Sequence, residues 1–251
     1  MIAKALTKVE ELIELLEPLM DQAKQIDAFT LGKYKREAKQ NLHAYPWAGY
    51  IALGMIGVLE WDEGAIDDSY RNAIALRNNA ESHAMYATSL QLIGKYEEAF
   101  IEAKIASDLV PENLTLLEDS IKYALFSGQL RIASELAEQY QLRSPAKPLK
   151  HRETIMNAVS IFDASEFSHK IVSHSNRVAF KFLRDKRVPY VKTRVETDSQ
   201  DQYVMFYIDV DLDDDQVEAL DEELGQVLFD EVPEFNPNKY WVGLANKIVK
   251  S

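Results

Sequence analysis

Two aspartates near the C-terminal end of the sequence have the spacing of a metal site. Asp209 and Asp211 flank one residue of a β-branched and aromatic stretch, so both carboxylates would lie on one face of a strand. Such a pair can hold Mg²⁺ for phosphoryl transfer or hydrolysis. A calcium loop starting at Asp209 is excluded, because Asp214 and Leu220 stand where it needs glycine and glutamate. The alternative is a solvated strand end followed by a helix N-cap.

The other residues with catalytic potential form no familiar arrangement. The sequence has no cysteine, which excludes disulfides, thiol nucleophiles and zinc-thiolate sites. It also lacks a phosphate-binding loop, a G-x-S-x-G motif and a metalloprotease helix. On a helix, His169 and His174 would be separated by about 140°, too far to share one ligand. We therefore expect no cofactor and no enzymatic activity, with metal-assisted chemistry at Asp209 and Asp211 as the alternative.

A basic segment lies between two acidic ones. The net charge is −9 for residues 1–142, +8 for residues 143–195 and −12 for residues 196–251. Nucleic acid could bind the basic segment, since cations track phosphates and aromatic rings stack on bases. The candidate residues are Lys181, Arg184, Lys186 and Arg187, beside Phe180 and Phe182. The alternative is that these cations face acidic residues of the same chain while the two rings serve packing.

The composition is typical of a mostly helical globular protein. The chain of 251 residues is 47% hydrophobic and 27% charged, with 9 glycines and 8 prolines. No stretch approaches the length of uncharged apolar sequence that a membrane helix needs, and the N-terminal stretch carries glutamates. We therefore expect no membrane association and a cytoplasmic location.

The stretch from Gly94 to Pro111 occurs again later in the chain. Four of its residues, all small or turn-forming, return at one offset of 34 residues. The corresponding pairs are Gly94 and Gly128, Ala99 and Ala133, Ala103 and Ala137, and Pro111 and Pro145. A looser copy precedes it at an offset of 33 residues. Each copy has two stretches of helical apolar periodicity around a turn, which predicts two antiparallel helices that stack on neighbouring pairs.

These copies resemble tetratricopeptide repeats over residues 47–147. The middle copy, SLQLIGKYEEAFIEAKIASDLVPEN, carries the resemblance most strongly, and YALFSGQLRIASELAEQYQLRSP is similar. In YIALGMIGVLEWDEGAIDDSYRNAIALRNN, Trp61 replaces the usual turn glycine and Asn78 the usual proline. The resemblance implies a mainly α fold, a helical-repeat solenoid whose function is to bind other proteins.

In this family the first helix of each pair lines a concave groove, so the resemblance also implies partner-binding residues. They are Ile51, Met55 and Val58 in the first copy, Ala84, Thr88 and Gln91 in the second, and Glu118, Asp119 and Lys122 in the third. The family's clamp for a C-terminal carboxylate is missing, because the third copy presents acids. An apolar end that grades into an acidic end suits an amphipathic, partly basic segment. Alternatively, the protein's own N-terminal helices or C-terminal region fill the groove.

Three further segments flank the repeats. Residues 1–46 predict helices that cap the stack or, through Leu12, Ile13, Leu16 and Leu19, form a dimerisation seam. Residues 148–186 predict two more helices, the second with Ser165 as its N-cap. Residues 187–251 predict a small α+β module, with a hairpin of VPYVKTRVET and QYVMFYIDVDL, an acid-started helix and a third strand near residues 240–242.

These features predict a cytoplasmic scaffold or adaptor that binds a protein or peptide partner. Acidic surfaces can cover basic sites on other proteins, so a neutralising or chaperone-like role is one version of this function. A nucleic-acid-associated factor, acting through the basic segment, is the alternative that would show binding steeply dependent on salt. The sequence does not identify the partner or the oligomeric state.

Overall fold

The computed structural model describes residues 2–21, 26–198, 200 and 202–246, without the side chains of residues 2–7 and 21. Eleven helices and three strands occur in this part of the chain. The helices are α1 (Ile2–Asp21), α2 (Ala28–Asn41), α3 (Pro46–Glu60), α4 (Glu63–Leu76), α5 (Ala80–Leu92), α6 (Tyr96–Leu109), α7 (Leu114–Phe126), α8 (Leu130–Arg143), α9 (Arg152–Ala164), α10 (His169–Asp185) and α11 (Asp214–Glu231). The strands are β1 (Tyr190–Asp198), β2 (Tyr203–Val210) and β3 (Tyr240–Asn246).

The predicted fold class is confirmed: repeated helix pairs dominate, and a small α+β module follows. The pairs are α3 with α4, α5 with α6, and α7 with α8. The chain forms two compact units, one up to Glu112 and one from Asn113 onward, so the third pair belongs to the second unit. The predicted segment boundaries after residues 46, 147 and 186 lie close to element ends, and their status as domain boundaries stays a prediction.

Small residues let the helices of the first pair approach closely. A Cβ added to Gly54 would lie 2.4 Å from Cε2 of Tyr70, so the glycine provides the space that the ring fills. Tyr70 is fully buried, stacks on Tyr86 at 5.0 Å between ring centroids, and shares a 2.7 Å hydrogen bond with the hydroxyl of Ser89. Burial raises the pKa of Tyr70, which therefore stays protonated. The first and second pairs are thus joined through two tyrosines.

The turn inside each pair uses a left-handed backbone. Trp61, Gly94 and Gly128, one in each copy, have φ values of 56°, 77° and 79°. Trp61 therefore adopts the same left-handed region that glycine occupies in the other two copies, although such a φ is uncommon for a side-chain-bearing residue. The next residue, Asp62, then caps α4 by accepting a 3.0 Å hydrogen bond from the backbone N–H of Ala65.

The N-terminal helices pack on the repeats. Both α1 and α2 contact α3, and Leu12 and Leu16 of α1 are buried while Ile13 and Leu19 are half-buried. Gly49 of α3 lies against Ala38 and Leu42, which brings α2 close. Leu12 and Leu16 therefore pack within the first unit, as a cap would, while the cap and the dimerisation seam both stay predictions.

The second unit contains a three-stranded sheet in the order β1-β2-β3. β1 and β2 form the predicted antiparallel hairpin, with Val195 opposite Phe206, while β3 pairs with β2 in parallel through Phe206 and Val242. The crossover from β2 to β3 is α11, which packs on β3. Buried aromatic rings of helices and strands meet beneath the sheet, with Phe206 contacting both Phe126 and Phe180.

A buried amide connects distant parts of the second unit. Asn176 of α10 donates a 3.1 Å hydrogen bond to the carbonyl of Phe126 at the end of α7 and accepts one from the hydroxyl of Tyr240 in β3. Both side chains are buried, so these hydrogen bonds satisfy groups that water cannot reach. Burial raises the pKa of Tyr240, which keeps its hydroxyl a donor.

The predicted N-cap of α10 is wrong. Ser165 ends α9 instead, and its hydroxyl donates a 2.8 Å hydrogen bond back to the carbonyl of Ile161. Glu166 then takes a left-handed φ of 53°, which turns the chain before the next helix. Ser168 is the actual N-cap and accepts a hydrogen bond from the N–H of Lys170. Both serines are suitable caps, and the turn decides between them.

Candidate partner-binding surfaces

The predicted groove residues of the first copy are enclosed by the protein itself. Ile51, Met55 and Val58 are all buried in α3, which contacts α1, α2, α4 and α5. The packing of α1 and α2 corresponds to the alternative in which the N-terminal helices fill this face. A partner would reach these three side chains only if the enclosing helices moved.

The second copy presents a small and partly open face on α5. Thr88 is exposed, whereas Ala84 and Gln91 are half-buried. The hydroxyl of Thr88 donates to the carbonyl of Ala84 at 3.0 Å, and the amide of Gln91 donates to the hydroxyl of Tyr96 at 3.3 Å. Because these polar groups already have hydrogen-bond partners, a bound protein would be recognised on this face mainly through shape complementarity. Its role in binding stays a prediction.

The third copy brings Glu118, Asp119 and Lys122 together on α7, in the second unit. Glu118 accepts hydrogen bonds from the hydroxyl of Tyr140 and, at 2.7 Å, from Lys147. Burial opposes the ionisation of Glu118, but these two donors outweigh it and lower its pKa. Burial raises the pKa of Asp119, with Lys122 opposing this shift. A groove shared with α5 stays a prediction.

The two neighbouring carboxylates should affect stability in opposite directions. Asp119→Asn is expected to raise the free energy of unfolding at pH 7.5, because burial penalises the charged carboxylate in the folded state. This penalty develops as the pH rises above 3.8, the ordinary pKa, so the gain should shrink toward pH 4. Urea unfolding followed by circular dichroism at both pH values measures it.

Glu118→Gln is the matched control for this comparison. Because the folded-state pKa of Glu118 is lowered, its charged form stabilises the protein above pH 4.5, and the variant should be less stable at pH 7.5. That stabilisation is lost as the pH falls through the lowered folded-state pKa. A loss of stability in Asp119→Asn at pH 7.5 would contradict the expected effect of burial.

The basic residues singled out in α10 and the turn that follows it are partly neutralised by the chain. Lys181 pairs with Asp185 at 2.8 Å, and Lys186 pairs with Glu223 of α11 at 2.7 Å. Arg184 is half-buried, while Arg187 is exposed in the turn after the helix. The neighbouring rings are buried, so Phe180 and Phe182 serve packing and are not available to stack on bases.

The acidic run has structural partners. Asp209 is 3% exposed and accepts hydrogen bonds at 2.9 and 3.3 Å from Nε of Arg194. Asp211 is exposed, and Asp213 forms a capping box with Gln216 at the start of α11. Among the described residues, no group of three His, Cys, Asp or Glu side chains has metal-binding geometry. Asp213 caps α11, as the helix-cap alternative predicts. The carboxylate of Asp209 is bound by the guanidinium of Arg194.

An exposed apolar stripe lies on α6 and was not predicted. Ile101, Ile105 and Leu109 are 56%, 37% and 46% exposed and fall within about 80° of one another on the helix. The opposite face carries the buried alanines that pack toward α5. An ion pair between Lys104 and Asp108 borders the stripe at 2.6 Å. The spacing of aliphatic residues at i, i+4 and i+8 was visible in the sequence, but it is equally typical of a buried face.

A second unpredicted surface lies on α2. We call it the α2 cationic face and define it by Phe29, Gly32, Lys33, Arg36, Lys39, Gln40 and His43. All seven are exposed, and the six that belong to α2 lie within an arc of about 120°, while His43 follows the end of the helix. A shallow open depression runs along this helix beside Gly32, Arg36 and His43.

Comparison with known proteins adds little to this geometry. No known family model matches the sequence, and a search of curated proteins finds no match. A solved structure of pilF from Pseudomonas aeruginosa aligns with 73% of this chain and 86% of its own, at 17% identity and a TM-score of 0.43. That score is too low to carry an argument. No helix among the described residues is long and apolar enough to cross a membrane.

Proposed function

We propose that this protein is an interaction scaffold that binds a partner protein through its helix pairs. The observation that carries the proposal is the apolar stripe of α6. Three aliphatic side chains are exposed side by side on a helix whose opposite face is buried against its neighbours. Scattered exposed aliphatic residues are normal on a protein surface, whereas adjacent ones on one face are characteristic of interaction sites.

The stripe has the layout of a small interface. Its centre is aliphatic, and its border is the Lys104–Asp108 pair, so an apolar core is flanked by charges that remain in water. Such a row suits the apolar side of an amphipathic partner helix, whose residues recur at the same spacing. The predicted contacts on α5, centred on Thr88, would add to this surface within the first unit.

A neutralising or chaperone-like role is a more specific version of the same function. Residues 211–231 contain ten acidic residues and no basic one, and most of their carboxylates are exposed on α11. A surface of this charge favours association with basic proteins and speeds their encounter. This version predicts that the bound partner is basic and that its association rate falls with added salt.

Co-purification from the native organism tests the scaffold function. The wild-type protein should recover a stoichiometric partner, and Ile101→Asp/Ile105→Asp should reduce that recovery by about tenfold or more, because two charges would enter an apolar contact. Ile132→Asp/Leu142→Asp is the matched control, since both residues are exposed on α8 and the variant adds the same two charges. Equal recovery with both variants, or no stoichiometric partner at all, would count against the proposal.

A further inference from the structure

The α2 cationic face carries three side chains with a full positive charge, Lys33, Arg36 and Lys39. Among the described side chains, no carboxylate lies within ion-pair distance of Lys33, Arg36 or Lys39. Lys35, which is half-buried beside this face, is paired with Glu60 at 2.7 Å. By contrast, Lys181 and Lys186 of the basic segment both have carboxylate partners. As far as the described side chains show, the charges of Lys33, Arg36 and Lys39 are therefore available to another molecule.

The shape of this face also suits a docked segment. Phe29 is 85% exposed at the start of the helix, where Asp27 caps α2 by accepting from the N–H groups of Phe29 and Thr30. A Cβ added to Gly32 would meet nothing within 4 Å, so the surface between Phe29 and Arg36 is low and open. An exposed aromatic ring thus lies at one end of a strip whose three cations, from Lys33 to Lys39, span about 9 Å along the helix.

We propose that the α2 cationic face binds an acidic amphipathic helix of a partner protein. This inference rests on the proposed scaffold function and names the chemistry of one of its partners. Lys33, Arg36 and Lys39 are three residues apart, so their positions advance by about 4.5 Å along the axis. Carboxylates spaced three or four residues apart on a helix match this step, and an apolar residue one turn away can cover Phe29.

Three features of the chain favour an acidic helix over nucleic acid. The chain carries a net charge of −13, so its overall field repels a long polyanion while a short acidic helix meets mainly the local cations. Three unpaired cations would also release few counterions from a phosphate backbone, which supplies most of non-specific nucleic-acid affinity. Phe29 instead provides the kind of apolar anchor that peptide recognition uses.

Fluorescence anisotropy with the full-length protein tests this inference. The probe is a synthetic helical peptide with glutamates three and four residues apart and a leucine one turn before the first glutamate. We expect saturable binding that weakens with salt and falls by about tenfold or more in Arg36→Glu/Lys39→Glu. The same peptide with glutamine in place of glutamate should bind at least about tenfold more weakly.

The matched control variant is Lys181→Glu/Lys186→Glu, which makes the same change in net charge at cations that are already paired. It should bind the acidic peptide within about twofold of wild type, since its cations are not available. Equal losses in the two double variants would show that only net charge matters and would overturn the inference. So would tighter binding of an oligo-dT of equal length, or equal binding of the glutamine peptide.

The outcome is separable from that of the scaffold test. Ile101→Asp/Ile105→Asp should bind the acidic peptide normally, because it leaves α2 unchanged, so either proposal can fail while the other stands. Sedimentation velocity at low salt tests whether a second copy of this chain binds the α2 cationic face instead. A dimer that Arg36→Glu/Lys39→Glu abolishes would identify a second copy of this chain on α2 and overturn the assignment to a different protein.

Discussion

Gly128→Ala is expected to lower the free energy of unfolding of the second unit by about 3 kcal/mol, from left-handed strain and overpacking together. Gly128 has a φ of 79°, which a side-chain-bearing residue adopts only at a cost. A Cβ there would lie 2.8 Å from both the N and Cα atoms of Ser173 in α10. Because these are backbone atoms, the clash would be relieved only by a shift of the helix. Urea unfolding followed by circular dichroism measures the loss.

Gly94→Ala is the matched control for this prediction. Gly94 occupies the equivalent turn one repeat earlier and has a φ of 77°, so the variant carries similar left-handed strain of about 1 kcal/mol. Gly94 is buried too, so the excess loss at Gly128 measures the close approach of α10 relative to the packing around Gly94. If the two variants lost equal stability, the contact with Ser173 would cost no more than that packing and the prediction would be wrong.

Arg194→Met is expected to cost about 3 kcal/mol, because it leaves the carboxylate of Asp209 buried without its partner. Asp209 lies in the middle strand of the sheet and accepts from Nε of Arg194 at 2.9 Å. The guanidinium also lies over the ring of Tyr207, with its central carbon 4.2 Å from the ring centroid. Methionine retains part of the aliphatic packing but provides no charge. Chemical unfolding at neutral pH measures the cost.

The double variant Arg194→Met/Asp209→Asn distinguishes the lost charge pair from lost packing. Since it removes the unpaired charge, it should recover a large part of the stability. Lys181→Met is the exposed comparison, and loss of its surface pair with Asp185 should give no resolvable change. If the double variant were as unstable as Arg194→Met, the loss would come from the other contacts of Arg194, with Tyr207 and Glu196, and the role assigned to its pair with Asp209 would be rejected.

Local patterns were sufficient to predict the elements of this protein. The offset of 34 residues between Gly94 and Gly128 identified the repeated turn, and the alternating sequence around DSQD identified the hairpin. These features are decided within a few residues, where side-chain periodicity and backbone freedom dominate. The N-cap at Ser165 was wrong for the same local reason, because Ser168 is equally suitable and only the turn at Glu166 separates them.

The surfaces could not be predicted in the same way, because they depend on contacts between distant residues. The resemblance placed Ile51 in a groove, but the packing of α1 and α2 on α3 encloses it. Lys186 looked available until α11 brought Glu223 to within 2.7 Å. The cations of α2 were equally visible in the sequence, yet nothing local indicated that Arg36 and Lys39 would have no ion-pair partner among the carboxylates that the structure describes. Charge neutralisation is a property of the folded chain.

The hydrogen bonds of Asn176 have a consequence for the order in which the protein acquires its structure during translation. The side-chain amide of Asn176 joins Phe126 to Tyr240, and Tyr240 follows Phe126 by more than a hundred residues. The helical core around Asn176 therefore lacks its final donor until β3 has been synthesised. All contacts within the earlier unit become possible once Glu112 has left the ribosome. During synthesis, the two repeat pairs nearest the N-terminus can therefore fold well before β3 completes the sheet.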